Sequence, residues 1–259
     1  MQPNLLDLYH GDNRDAQIDF VTLAQVGIWG IIHKASQGLN WKDPKFVQRV
    51  GDAHAAGLLC GAYHYLDASD AIKQASNFLE SIARIGDIAK GNFLIAADYE
   101  KSADGNHPAL HQLQDFMAYV DKNVPGTLCV LYSGDLIRET LKPVVGGHVS
   151  ADMIGVSDFF RQHRLWLAEY GPHENIPWPW SETVSPVRES INDRAVFENT
   201  GAWLWQFNGH GRMPKIIGDT DLNYYSGTKE QLAAEWQAGP KGANVNAQNL
   251  AANRAYMGP

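Results

Sequence analysis

Five times in the first 141 residues, a short apolar run gives way to a stretch with helical spacing. The runs are Leu5 to Tyr9, Ile28 to Lys34, Leu58 to Tyr65, Asn92 to Glu100 and Thr127 to Tyr132. The intervening helical stretches are Ile18 to Gln25, Pro44 to Ala56, Ser69 to Arg84, Pro108 to Asn123 and Asp135 to Leu141. An apolar run too short for a helix and without a polar side fits a strand covered on both faces. Repeated strand–helix–strand units cross over right-handedly and build a parallel sheet. The 259 residues match the roughly 250 of a single α/β barrel. The chain is therefore expected to be one TIM-like α/β barrel with about eight strands and five to six regular helices.

Helix boundaries are marked. Asp43 stands where an N-cap for the second helix is expected, and Gly27 and Gly57 stand where helices stop. Pro108 suits a first helical turn. The last third is irregular. Lys142 to Phe160 and Gly171 to Gly201 read as long loops, and loops of that length in a compact domain usually serve the site. The second carries Trp178 and Trp180, which are costly to expose without a use, so it is expected to border a cleft. Arg164 to Tyr170, Ala202 to Phe207 and Asp219 to Asn223 read as the remaining strands, and Lys229 to Gln237 as a last helix. The barrel domain is expected over 1–239, with 240–259 a surface extension.

Polar residues cluster where these runs stop. Asp7, Lys34, Tyr63, Asp98, Glu100, Tyr132, Trp166, Tyr170, Gln206 and Asp221 all fall at or near strand ends. In α/β barrels the C-terminal face of the strands is where active sites are built. Asp98 and Glu100 matter most. Residues two apart on a strand point the same way, roughly 7 Å apart at the backbone. Two like charges held together at the end of an apolar strand raise the pKa of at least one, which suits general acid/base chemistry. The competing reading is a pair of ordinary surface acids. Strands one and eight are neighbours in a closed barrel, so Asp7 and Asp221 are expected side by side.

The net charge of −8 disfavours nucleic acid as a partner. No apolar stretch is long enough to span a membrane, and no secretory signal is visible before the first strand. Cys60 and Cys129 sit inside apolar runs and read as small buried hydrophobes. The histidines, including His10, His33 and His64, show no ligand spacing, so neither metal nor cofactor is expected.

An ordered set of motifs narrows this further. It begins with Asp7, Ile18-Asp19-Phe20 and Lys34-Ala35-Ser36-Gln37-Gly38. Gly61-Ala62-Tyr63-His64-Tyr65, Asp98-Tyr99-Glu100 and Leu131-Tyr132-Ser133 follow. Leu165 to Tyr170, Trp205-Gln206 and Asp221-Leu222-Asn223 complete it. From Leu5 to Gly227 the chain resembles the family 25 glycoside hydrolases, lysozymes of the Chalaropsis and phage type that cut bacterial peptidoglycan. The resemblance implies cleavage of the β-1,4 bond between N-acetylmuramic acid and N-acetylglucosamine. It implies Glu100 as general acid, Asp98 as its partner at the acetamido group or cationic transition state, and Asp7 and Asp221 as the cleft's other acids. Lys34, Tyr63, Tyr65, Tyr132, Trp166, Tyr170, Trp205 and Gln206 are the candidate substrate-binding residues, several of them as platforms for sugar rings. The chain departs from the family at Gln37, where Glu is frequent, and at Tyr9, where a small hydroxyl residue is. Both long loops also look longer than usual.

Two rivals remain: a chitinase-like hydrolase of N-acetylglucosamine polymers, and a catalytically silent peptidoglycan-binding barrel. Leu94, Ile95 and Ala96 leave no place for the longer acidic series of the first, and a binder has no need of four acids. A monomer acting on glycan strands is expected. It would be made in the cytoplasm and reach the wall on lysis or through a secretion machine.

Overall fold

A computed structural model of the chain describes residues 3–13, 16–137, 159–160, 162–170 and 202–237. The Lys142 to Phe160 loop except residues 159–160, the Gly171 to Gly201 loop with its Trp178 and Trp180, and the tail from Pro240 lie outside the described residues. So does most of the Asp135 to Leu141 helix, of which residues 135–137 are helical.

The strands are β1 (Leu5–Leu8), β2 (Gly30–Gln37), β3 (Trp41–Lys42), β4 (Leu59–Tyr65), β5 (Phe93–Asp98), β6 (Val130–Ser133), β7 (Leu165–Ala168), β8 (Ala202–Gly211) and β9 (Thr220–Tyr224). Eight of them close a barrel in the order β1-β2-β4-β5-β6-β7-β8-β9, with β9 returning to β1. The two-residue β3 is a hairpin arm on β2 that the apolar pattern does not reveal. Helices α1 (Phe20–Gln25), α2 (Phe46–Ala55), α3 (Ala71–Ala83) and α4 (Leu110–Asn123) follow β1, β3, β4 and β5, and α5 (Lys229–Glu235) follows β9.

The barrel is mixed rather than all parallel. β1, β2 and β4 through β8 are parallel, but β9 runs antiparallel to both β8 and β1. The reason is length. Residues 212–219 join β8 to β9, fewer than the dozen or so a parallel crossover needs, so the chain turns back as a hairpin. The reversal puts the start of β9, not its end, on the face where the other strands finish.

Local chemistry sets the helix ends. Asp19 caps α1 by accepting from Thr22 N at 2.9 Å, and Asp70 caps α3 by accepting from Lys73 N at 3.0 Å. Gly27 and Gly57 stop their helices at φ +101° and +77°, a region where a side chain is strained. Two expectations fail here. The N-cap of α2 is Lys45; Asp43 instead accepts from His10 N and Lys45 N, both at 2.8 Å. Pro108 precedes the N-cap Ala109 rather than entering the first turn.

The side-chain period of two sorts the core into two layers. Along β5, Phe93, Ile95, Ala97 and Tyr99 pack outward beneath the helices, while Leu94 and Ala96 point into the lumen. The lumen is filled by Leu5, Ile32, Tyr63, Leu94, Val130, Tyr132, Trp166 and Leu204. Its N-terminal end is plugged by α5, whose Leu232 and the following Trp236 are fully buried. The indole of Trp236 donates to Cys60 O at 2.7 Å. Trp236→Ala removes the largest part of that plug and should cost about 3–5 kcal/mol, or about 6–20 °C in Tm. Thermal unfolding checks this, and a shift under about 2 °C would show that the plug is dispensable.

Candidate active site

The inward row of β5 continues from Leu94 and Ala96 to Asp98, and Glu100 follows just past the strand. Asp98 is 4% exposed and Glu100 half-buried, so the reading of two surface acids fails. Their carboxyl groups are within reach of a shared proton. On the opposite side of the mouth, Asp7 and Asp221 are register partners across β1 and β9, and their carboxyl groups are within the same reach. All four acids thus meet at the face where the parallel strands end.

Burial raises the pKa of each of the four, and it is the largest cause at each. At Asp98 the Glu100 charge adds to the rise; at Glu100 the Asp7 charge does. The ammonium of Lys34 opposes the rise at both. Each pair therefore holds a proton at a pH where two isolated carboxyls would both be ionised. The proton belongs to the pair.

A hydrogen-bond chain links the two pairs. Asp7 Oδ1 accepts from Gln206 Nε2 at 2.9 Å and from Asn223 Nδ2 at 2.7 Å. Gln206 Oε1 accepts from Tyr132 OH at 2.8 Å and Tyr170 OH at 2.5 Å. Tyr132 OH also lies 3.2 Å from Glu100 Oε1. A phenol has one proton, so when Tyr132 donates to Gln206 its oxygen is free to accept from a protonated Glu100. One oxygen stands apart: Asp98 Oδ1 is buried and, among the described residues, has no hydrogen-bond partner.

The remaining sequence candidates divide by the face of their strand. Gln206 is buried at the centre of the site, and Tyr65 and Tyr170 are half-buried at the mouth. Tyr63 and Tyr132 line the lumen just below the acids and are buried, so they are walls rather than open sugar platforms. Trp166 is only 1% exposed and lies under Tyr132, ring centroids 4.5 Å apart, with its indole donating to Asn223 Oδ1 at 2.7 Å. It is a floor residue because it stands one turn of the pleat below the end of β7. Trp205 points outward, as its neighbour Gln206 points in; it packs on Phe207 and donates to Glu169 O at 2.8 Å. It does not face the cleft.

Three residues escaped the sequence reading. Asn223 holds Asp7, and its position two residues after Asp221 on one strand is the signal that could have found it. Trp41 sits on the β3 arm, 38% exposed, near Lys34. Gly209 leaves space that a Cβ would close, at 3.3 Å from Asp221 Oδ1 and 3.4 Å from the Tyr170 ring. Nothing in its local pattern announces that.

Comparison with known proteins gives the family and the fold. The model of glycosyl hydrolases family 25 matches residues 6–216. The match includes Asp7, Asp98 and Glu100 and stops short of Asp221, whose place in the site rests on its pairing with Asp7. The bacterial lysozyme from Streptomyces coelicolor has a similar fold, with a TM-score of 0.61 at 20% identity over 90% of this chain and 96% of that one. The muramidase from Acremonium alcalophilum gives 0.61 at 19% identity, over 92% and 100%. Uncharacterized protein YegX of Escherichia coli O157:H7 is 27% identical over 205 residues, 78% of this chain and 60% of the relative, so the chain spans about three fifths of that relative's length. With the family match covering most of its length and the barrel and four acids in place, the chain belongs to glycosyl hydrolases family 25.

Proposed function

We propose that the protein hydrolyses the β-1,4 bond between N-acetylmuramic acid and N-acetylglucosamine in bacterial peptidoglycan, acting as a monomer. The observation that carries this reading is the buried Asp98–Glu100 pair with its unpartnered Asp98 Oδ1. Relatives of the family described as lysozymes and muramidases support the substrate class.

The geometry constrains the mechanism. Two carboxyls flanking an anomeric carbon stand roughly 5–5.5 Å apart when one is a nucleophile, and about 6.5–9.5 Å apart when one activates water. Asp98 and Glu100 stand two residues apart on the same side of β5 and its extension, so they do not face each other across the sugar. Both must act from one side. Glu100 is placed to protonate the leaving oxygen. Asp98 Oδ1 is placed to accept the N–H of the substrate's acetamido group, whose carbonyl oxygen can then approach the anomeric carbon. That bond would stabilise ionised Asp98 and shift the pair's proton onto Glu100 when substrate is bound. Tyr132, Gln206 and Asn223 fix the acids, and Tyr65 and Tyr170 offer ring faces at the mouth.

Release of reducing ends from purified peptidoglycan, run beside chitin, tests the reading. Peptidoglycan is expected to be cut and chitin to be a poor substrate. Equal cutting of chitin would favour a broader N-acetylglucosaminidase. Binding to peptidoglycan without any reducing ends would leave a silent barrel.

A further inference from the structure

Among the described residues Lys34 is a cation of the cleft, and its surroundings are not those of a structural ion pair. It projects from the inner side of β2, two residues beyond the lumen residue Ile32. Its ammonium donates to Gln37 Oε1 at 2.8 Å and lies 4.6 Å from the centroid of the Tyr65 ring and 5.5 Å from that of Trp41. An ammonium has three donors, and a neutral amide takes one. Among the described residues no carboxylate lies within 4.0 Å of it. Gln37 is register partner of Trp41 on the β3 arm, so the amide and the exposed indole are held on one rigid hairpin. Glutamate at position 37 would have the same reach and would close an ion pair. Here the charge stays available, half-buried between two ring faces that can hold a sugar and shield it from water.

We propose that Lys34, seated between Tyr65 and Trp41, is a subsite for a carboxylate carried on the 3-O-lactyl arm of a muramic residue. The proposal rests on the peptidoglycan reading above and deepens it. Two sources supply that chemistry: the lactyl acid itself on strands without stem peptides, and an acidic residue of the stem where the lactyl group is amidated. Neutral N-acetylglucosamine polymers have no such group. They would leave a half-buried ammonium without an anion in contact, so the same lysine also selects against them.

The experiment measures kcat/KM by reducing-end release for wild type, Lys34→Gln and Gln37→Glu. Each is given stem-free glycan strands, the same strands with their carboxylates converted to methylamides, and strands with stems intact. Wild type is expected to prefer free over amidated stem-free strands by about 10- to 100-fold, the range of a charge-assisted hydrogen bond, expressed in KM. Lys34→Gln removes the cation and Gln37→Glu supplies an internal anion, so both should bring the preference to near unity. A Lys34 effect confined to stem-free strands assigns the lactyl acid; one seen with stems intact assigns a stem carboxylate. Equal wild-type rates on free and amidated strands, with stem-bearing strands insensitive to Lys34→Gln, would overturn the proposal and leave the peptidoglycan reading standing. So would variants that slow free and amidated strands equally with a shifted pH profile, since Lys34 would then act only on the acid pair. No hydrolysis of any strand by wild type would overturn both.

Discussion

Glu100→Gln is expected to lower the rate of peptidoglycan hydrolysis by at least about 10²- to 10⁴-fold and to leave glycan binding intact, the loss that follows removal of a general acid. The substitution keeps the shape of the side chain and its hydrogen bond with Tyr132, because the phenol oxygen can accept from an amide as it would from a carboxylic acid. What it removes is the transferable proton. The pH profile carries a second mark. Burial, and then the Asp7 charge, raise the pKa of Glu100, so the acid form persists above the usual carboxylate range. Wild-type activity should therefore hold on the acid side and fall as pH rises through that raised pKa. Residual activity in Glu100→Gln should lack that alkaline fall. Reducing-end release across pH, with pull-down on insoluble peptidoglycan for binding, checks both. A Glu100→Gln protein that clears peptidoglycan at near the wild-type rate would remove Glu100 from the mechanism.

How much of this site the sequence shows depends on which rule places each residue. Period-two alternation on a buried strand is local, and it suffices to put Asp98 and Glu100 on one face, because Leu94 and Ala96 precede them inward. The same rule, read along β8, separates Gln206 from Trp205, whereas an aromatic's place at a strand end says nothing of which way it points. Depth is harder still. Trp166 faces the lumen as expected of its row, but two residues too early in β7 to reach the mouth. The direction of β9 was not legible from apolar pattern alone; it follows from the short connection after β8. Asp221 reached the cleft for a different reason than supposed: it lies near the start of an antiparallel strand, not the end of a parallel one. Trp41 and Gly209 depend on tertiary neighbours far along the chain, and no local signal encodes them.

The second large effect is expected at Asp98, and the structure says why asparagine is a poor substitute there. Asparagine keeps an oxygen that can accept the acetamido N–H, so substrate still binds. Its other atom is an amide nitrogen, which would sit where the carboxyl now meets Glu100 and donate to it. A hydrogen bond to the charged form of Glu100 lowers its pKa, and the proton needed at the leaving oxygen is lost. The negative charge that would orient the acetamido group and stabilise the cationic transition state is lost as well. Two functions fail through one atom, so kcat should fall by about 10²-fold or more with KM little changed, and the surviving activity should move to lower pH. Asp7→Asn and Asp221→Asn should cost less. Gln206 and Asn223 both donate to Asp7 Oδ1, an acceptor that the oxygen of an asparagine can replace. Asp221 meets the hydrogen-bond chain through Asp7, its partner across the β1–β9 ladder. Steady-state kinetics of the three variants on one peptidoglycan preparation decides the ranking. An Asp98→Asn enzyme within about tenfold of wild type, or one less impaired than Asp7→Asn, would mean that the Asp98–Glu100 contact only packs the barrel mouth.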